Sequence, residues 1–97
     1  MLHVTPEAKA ELHTMLMRAL KQRSDLHPTR DMGFRLIVGE SRLGLTLDSP
    51  RGGDETVEQD GRSVLILDGA ISGFVENLTL DVVDTPDGSR LELRDHG

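Results

Sequence analysis

Four histidines, His3, His13, His27 and His96, are the borderline metal ligands left to this chain, which contains no cysteine. Together with Asp95 they would compose a His/carboxylate metal set if the two chain ends met. Their spacing argues against it. His13 has no ligand one helical turn on, because Met17 stands there. The other three are scattered, and solvated histidines are the expectation, including for His3 and His96 near the ends.

A second group is Glu40-Ser41-Arg42. A serine between an acid and a guanidinium has the makings of a nucleophile, but no histidine stands near it and no G-x-S-x-G frames it. A solvated turn accounts for it better. Gly52-Gly53 lacks the phosphate-loop frame G-x-x-x-x-G-K-[ST] and reads as part of a flexible link, Ser49-Pro50-Arg51-Gly52-Gly53. The carboxylates Asp54, Glu55, Glu58 and Asp60 lack the spacing of a calcium loop and read as an exposed acidic face. No catalytic, cofactor-binding or metal-binding residue is therefore assigned. A protein that is not an enzyme and carries no cofactor is the expectation.

The elements around these groups are marked clearly. Thr5-Pro6-Glu7 is a helix start: a capping hydroxyl, a proline suited to the first turn, and an acid facing the positive helix end. Leu12, Met15, Leu16, Ala19 and Leu20 then recur at three- and four-residue steps, the buried stripe of an amphipathic helix. Met17 lies off that stripe. His27-Pro28 disfavours helical geometry, so the helix should end near Ser24.

Beyond it the period becomes two. Phe34 to Val38, Leu43 to Asp48, Val64 to Leu67, Leu78 to Val82 and Leu91 to Arg94 read as strands, with a weaker one at Glu55 to Glu58. Asp60-Gly61 and Thr85-Pro86-Asp87-Gly88-Ser89 are turns. A short helix is expected near residues 69–76, capped by Asp68, with Ile71, Phe74 and Val75 facing the core. The fold class is α+β: an N-terminal helix on a mostly antiparallel sheet, one domain over residues 1–97.

Composition excludes several functions. The net charge is −6, and residues 31–97 carry the acidic excess, which repels phosphate backbones. With no Trp or Tyr and only Phe34 and Phe74 as aromatics, there is no base-stacking platform. Nucleic acid is thus not an expected partner. No apolar run approaches the roughly 20 residues of a membrane span. The start, MLHVTPEAKA, lacks the features of a signal peptide, so a cytoplasmic location is expected. Arginine outnumbers lysine nine to two, as GC-rich bacterial genomes produce, and carries no functional weight.

The order of segments resembles the HesB/IscA-like superfamily, the A-type iron–sulfur cluster carriers. Val4-Thr5-Pro6-Glu7-Ala8 looks like the family's V-T-x-x-A opening. Gly33-Phe34-Arg35-Leu36-Ile37-Val38 looks like its G-[LF]-R-[LV]-x-V strand. Leu47-Asp48-Ser49-Pro50 followed by Gly53-Asp54-Glu55 resembles D-x-P then G-D-E. Asp60-Gly61-Arg62-Ser63-Val64-Leu65-Ile66 resembles D-G-V-x-V-x-[VI]. Phe74-Val75 and Leu80-Asp81-Val82-Val83 keep the spacing of Y-L-x-G-x-x-L-D-Y-V, with Asn77 in place of its glycine. Gly88, Leu91 and Leu93 match the ending G-x-[FL]-x-[FL].

The resemblance implies a HesB-like β-sheet sandwich. The family binds iron or a cluster through a thiolate in the loop after its first strand and a C-x-C pair near its C-terminus. Here those places read Gly39-Glu40-Ser41-Arg42, a shorter loop, and Asp95-His96-Gly97. The implied function is a non-catalytic domain that has lost the cluster ligands and binds a protein partner in iron–sulfur assembly or its regulation. The alternative is a metal-binding protein with His and carboxylate ligands. Self-association as a weak homodimer, through the sheet or that loop, is also expected.

Overall fold

The computed structural model describes residues 2–22, 32–39 and 43–95. Strand β1 (His3–Val4) leads directly into helix α1 (Pro6–Gln22). The Thr5 hydroxyl accepts from the Ala8 N–H at 3.1 Å, and the Thr5 carbonyl takes the Lys9 N–H at 2.9 Å. Thr5 thus caps the helix as its sequence predicts. The helix ends at Gln22, and His27-Pro28 lies outside the described residues.

The strands form two sheets. One has the order β3 (Leu43–Asp48), β2 (Gly33–Val38), β5 (Arg62–Leu67), β4 (Glu55–Gln59). The other has the order β1, β6 (Leu78–Thr85), β7 (Gly88–Asp95). The β2–β3, β4–β5 and β6–β7 pairings are antiparallel and long. The β2–β5 and β1–β6 pairings are parallel and only two residues deep in register. The expected α+β architecture is present, mostly antiparallel, with these two parallel seams joining distant segments. Strand β1 is an addition to the predicted elements, since two residues give no periodicity to read.

Helix α1 packs against strands of both sheets. Ala8, Leu12 and Leu16 are fully buried, and Leu36, Leu65, Leu67, Val75 and Leu80 complete the core around them. Met15, Ala19 and Leu20 flank this stripe half-buried. So does Met17, which the spacing placed off it: its flexible thioether reaches the core margin. Strand β5 is buried on both faces from Ser63 to Leu67, as a continuous apolar run predicts. Gly33 permits the β2–β5 seam. A Cβ there would sit 2.7 Å from the Ser63 carbonyl oxygen, closer than real Cβ contacts come.

Asp60 and Gly61, at φ 55° and 77°, close the β4–β5 hairpin. Helix α2 spans Gly69–Phe74, and the Asp68 carboxylate accepts the Ile71 N–H at 2.9 Å as its cap. One expectation for this helix is corrected. Val75 is buried and Ile71 partly so, but Phe74 is 67% exposed. At 100° per residue, Ile71, Ser72 and Val75 share the inward arc, and Phe74 falls well to its side.

Candidate functional site

The densest polar construction in the described residues is built on Arg35. It stands mid-strand in β2, opposite Thr46 of β3 and on the face it shares with Ile66 of β5. Its Nε donates to Asp48 Oδ2 at 2.7 Å. Its Nη2 and Nη1 donate to the two oxygens of Asp54 at 2.8 and 3.3 Å, a bidentate fork. Nη2 also reaches the Ser49 carbonyl oxygen at 3.4 Å. Asp54 Oδ2 takes the Arg51 N–H at 2.7 Å, and Asp48 Oδ1 takes the Ser49 N–H at 2.8 Å. The Arg51 guanidinium meets Asp48 from the outside at 3.1 Å.

Two sequence expectations change here. Asp54 is no part of an exposed acidic face: its side chain is only 6% exposed and is turned onto Arg35. Residues 49–53 are not a slack link, because Arg51 and Asp54 close a turn through Asp54 N–H to the Arg51 carbonyl at 3.0 Å. The hydrogen bond from Arg35 is the main cause holding the Asp48 and Asp54 carboxyls below their usual range, helped by the Ser49 and Arg51 N–H groups respectively. The same contacts, Asp54 first, raise Arg35 further. All three charges are spent on one another, so the cluster acts as a clamp tying β2 to β3 and to the approach to β4. The signal was in the sequence: a lone arginine inside an apolar strand, followed by two aspartates that bracket a Pro-Gly turn.

A second network joins the N-terminus to the C-terminal hairpin. The Thr5 hydroxyl donates to Asp81 Oδ1 at 3.0 Å, and the Thr5 N–H donates to the Leu80 carbonyl at 3.1 Å. Asp81 also takes the Val82 N–H and pairs with Arg94. The Val82 N–H, then the Thr5 hydroxyl, hold the Asp81 carboxyl below its ordinary value.

The predicted ligand candidates are not gathered by the described residues. No group of three or more His, Asp or Glu side chains lies together among them. His3 and Asp95 do sit in one sheet at the same end. They flank β6, where His3 pairs with Thr79 and Asp95 with Leu78. Their backbones are thus roughly 10 Å apart, two strand spacings. His13 lies on α1, half-buried. His27, His96 and Glu40-Ser41-Arg42 lie outside the described residues.

At the root of residues 40–42 the surface is apolar. Val38 and Gly39 at the end of β2 meet Ala70, Ile71 and Phe74 of α2 around an open hollow of about 530 Å³. Ile37, 50% exposed, stands on the opposite face of the same strand end. Among the described residues the lining of the hollow carries no ionisable side chain, which suits an apolar contact. The hollow is not legible in the sequence, where the residue pattern points Phe74 toward the core. No helix among the described residues is long and apolar enough to cross a membrane.

No family model and no curated protein matches the chain. Solved structures do. Escherichia coli SufA, described as involved in biosynthesis of iron–sulfur clusters, is 23% identical with a TM-score of 0.65, over 97% of this chain and 84% of that one. IscA with a [2Fe-2S] cluster is 14% identical with a TM-score of 0.63, over 98% of this chain and 85% of that one. The helix, the two sheets and the short second helix of this chain are therefore arranged in the fold of the A-type iron–sulfur carriers SufA and IscA, here without a cysteine.

Proposed function

We propose that this protein is a non-catalytic binding domain on the carrier fold, acting on a protein partner in iron–sulfur cluster assembly or its regulation without holding a cluster itself. One observation carries the reading: a fold like that of SufA extends over 97% of a chain that has no thiolate to offer. Soft sulfur ligands are what clusters of this kind require, so the residues present do not fit such a cluster. What remains at the end of β2 is the hollow around Phe74, whose exposed ring and apolar lining among the described residues suit a protein surface. The contact would be made in the cytoplasm, and no enzyme activity is assigned.

The test is binding of purified scaffold, carrier and desulfurase components of iron–sulfur assembly, followed by calorimetry, with the wild type and Phe74→Asp. Binding by the wild type, lost in Phe74→Asp at unchanged melting temperature, supports the reading. Absence of binding to every component removes the link to assembly. Metal analysis of the native protein runs alongside. A stoichiometric metal, lost on changing His3 or His96, would replace this reading with a His/carboxylate metal protein.

A further inference from the structure

Strand β3 is one edge of the four-stranded sheet and β7 one edge of the three-stranded sheet. Between these edges and α1 lies an open cleft of about 350 Å³. Its floor is apolar: Met15 of α1, Leu43 and Leu45 of β3, and Leu91 of β7. Leu43 and Leu45 are two residues apart and so share one face of their strand. All four side chains are half-buried and packed against the core, whose apolar surface thus continues into the cleft.

The rim is charged. Glu11 stands one helical turn before Met15, on the same side of α1. Arg90 alternates with Leu91 along β7, so it meets the cleft at its border rather than on its floor. The other buried or bordering charges of the fold are consumed: Arg35 by Asp48 and Asp54, Asp81 by Arg94. These two are not. Among the described residues Glu11 has no hydrogen bond or ion pair. The one ion pair of Arg90, to Glu92, is 3.9 Å long, beyond hydrogen-bond reach, and its side chain is 69% exposed. Ser89, between the charges and the floor, spends its proton on Asp84 at 3.0 Å and keeps its lone pairs.

An acid and a base with unspent hydrogen-bonding capacity therefore border one apolar floor. A hydrocarbon would leave both unmatched. A fatty acid would satisfy Arg90 but bring a second carboxylate toward Glu11, and an alkylamine has the converse fault. A zwitterion with an apolar body matches all three features. Its ammonium suits Glu11, its carboxylate suits the guanidinium fork of Arg90, and its side chains suit the leucines and Met15. The volume is that of a small-ligand cleft, predominantly apolar with few polar groups.

We propose that this cleft binds an apolar amino-acid zwitterion, as a free amino acid or as a dipeptide with both ends free, its ammonium on Glu11 and its carboxylate on Arg90. The two sources share this chemistry and differ in the span between their charges. The cleft has no residue in common with the hollow around Phe74, so the site is separate from the partner surface.

The test is titration of the isotopically labelled full chain, followed by amide NMR shifts. The probes are leucine, leucyl-leucine, N-acetyl-leucyl-leucine and leucyl-leucine amide, each up to about 20 mM, since so small a ligand binds in the roughly millimolar range. The proteins are wild type, Glu11→Gln, Arg90→Gln and Phe74→Asp, each shown to be folded by circular dichroism melts.

Saturable shifts at Met15, Leu43, Leu45 and Leu91 are expected with leucine or with leucyl-leucine, and the tighter of the two identifies the source. Masking either end should weaken binding about two- to fivefold, the worth of an exposed ion pair. Glu11→Gln should weaken the zwitterion by a similar factor but leave the acetylated peptide unaffected, and Arg90→Gln should do the same for the amide. No saturable shift with any probe overturns the proposal. So do masked peptides that bind as tightly as the zwitterion, or variants at Glu11 and Arg90 that bind it as wild type does. Phe74→Asp should bind the probes unchanged, so this proposal and the reading of the Phe74 surface fail separately.

Discussion

Arg35 and Asp54 share two hydrogen bonds, at 2.8 and 3.3 Å, across nineteen residues of sequence, with the Asp54 side chain almost wholly enclosed. Because Asp48 completes the fork at 2.7 Å, one guanidinium fixes both ends of the 49–53 turn. Chain segments that composition alone would leave loose are thereby held to β2.

This clamp gives the stability a definite pH dependence. The Arg35 hydrogen bonds lower the Asp48 and Asp54 carboxyls in the folded state, and Val82 N–H and Thr5 do the same for Asp81. Their contribution is present above the unfolded carboxylate value near 3.9 and is lost as pH falls through the lower folded values. Melting temperature should hold between about pH 5 and 7 and fall below about pH 4. Asp54→Asn should lower stability at pH 7 and flatten the acid fall. Parallel melting curves for variant and wild type across this range would contradict the clamp.

The docking of α1 is tested by contrasting one buried leucine with one surface arginine. Leu16 is fully buried in the core, so Leu16→Ala should cost about 2–5 kcal/mol in urea unfolding. Arg18, exposed on the same helix, should change stability by about 0.5 kcal/mol or less on replacement by alanine. Equal effects would mean that the helix is not seated as described.

Gly33 sits where β2 and β5 approach most closely. Gly33→Ala places a methyl against the Ser63 carbonyl, and backbone on both sides leaves no flexible group to yield. A loss of about 1–3 kcal/mol is expected, the usual cost of forcing a carbon into a packed contact. Gly52→Ala is the control, since a Cβ there meets nothing within 4 Å.

Incubation with ferrous iron and sulfide under reducing, anaerobic conditions should leave the desalted protein colourless. No thiolate exists among its 97 residues to hold a cluster. A stoichiometric visible spectrum that survives desalting would overturn the reading of this chain as a carrier fold without cluster ligands.

Much of the architecture was legible because it is written locally. Thr5-Pro6 starts α1, Asp68 caps α2, and Asp60-Gly61 turns one hairpin, each through contacts within a few residues. The period-two runs and the buried β5 needed no knowledge of their neighbours. The ordering of segments was enough to place the carrier fold. The tertiary structure decided what depends on residues far apart in sequence. The parallel seams β1–β6 and β2–β5 join segments that no turn connects. Asp54 turned inward because Arg35, nineteen residues earlier in strand β2, offered it a bidentate partner in a place water reaches poorly. Phe74 turned outward because a six-residue helix can bury only one arc, and Ile71, Ser72 and Val75 occupied it. Composition and local pattern therefore determined which elements form. Which charges are consumed, which ring is left exposed and which strand edge is left open were decided by packing, since each depends on a partner that sequence proximity does not supply.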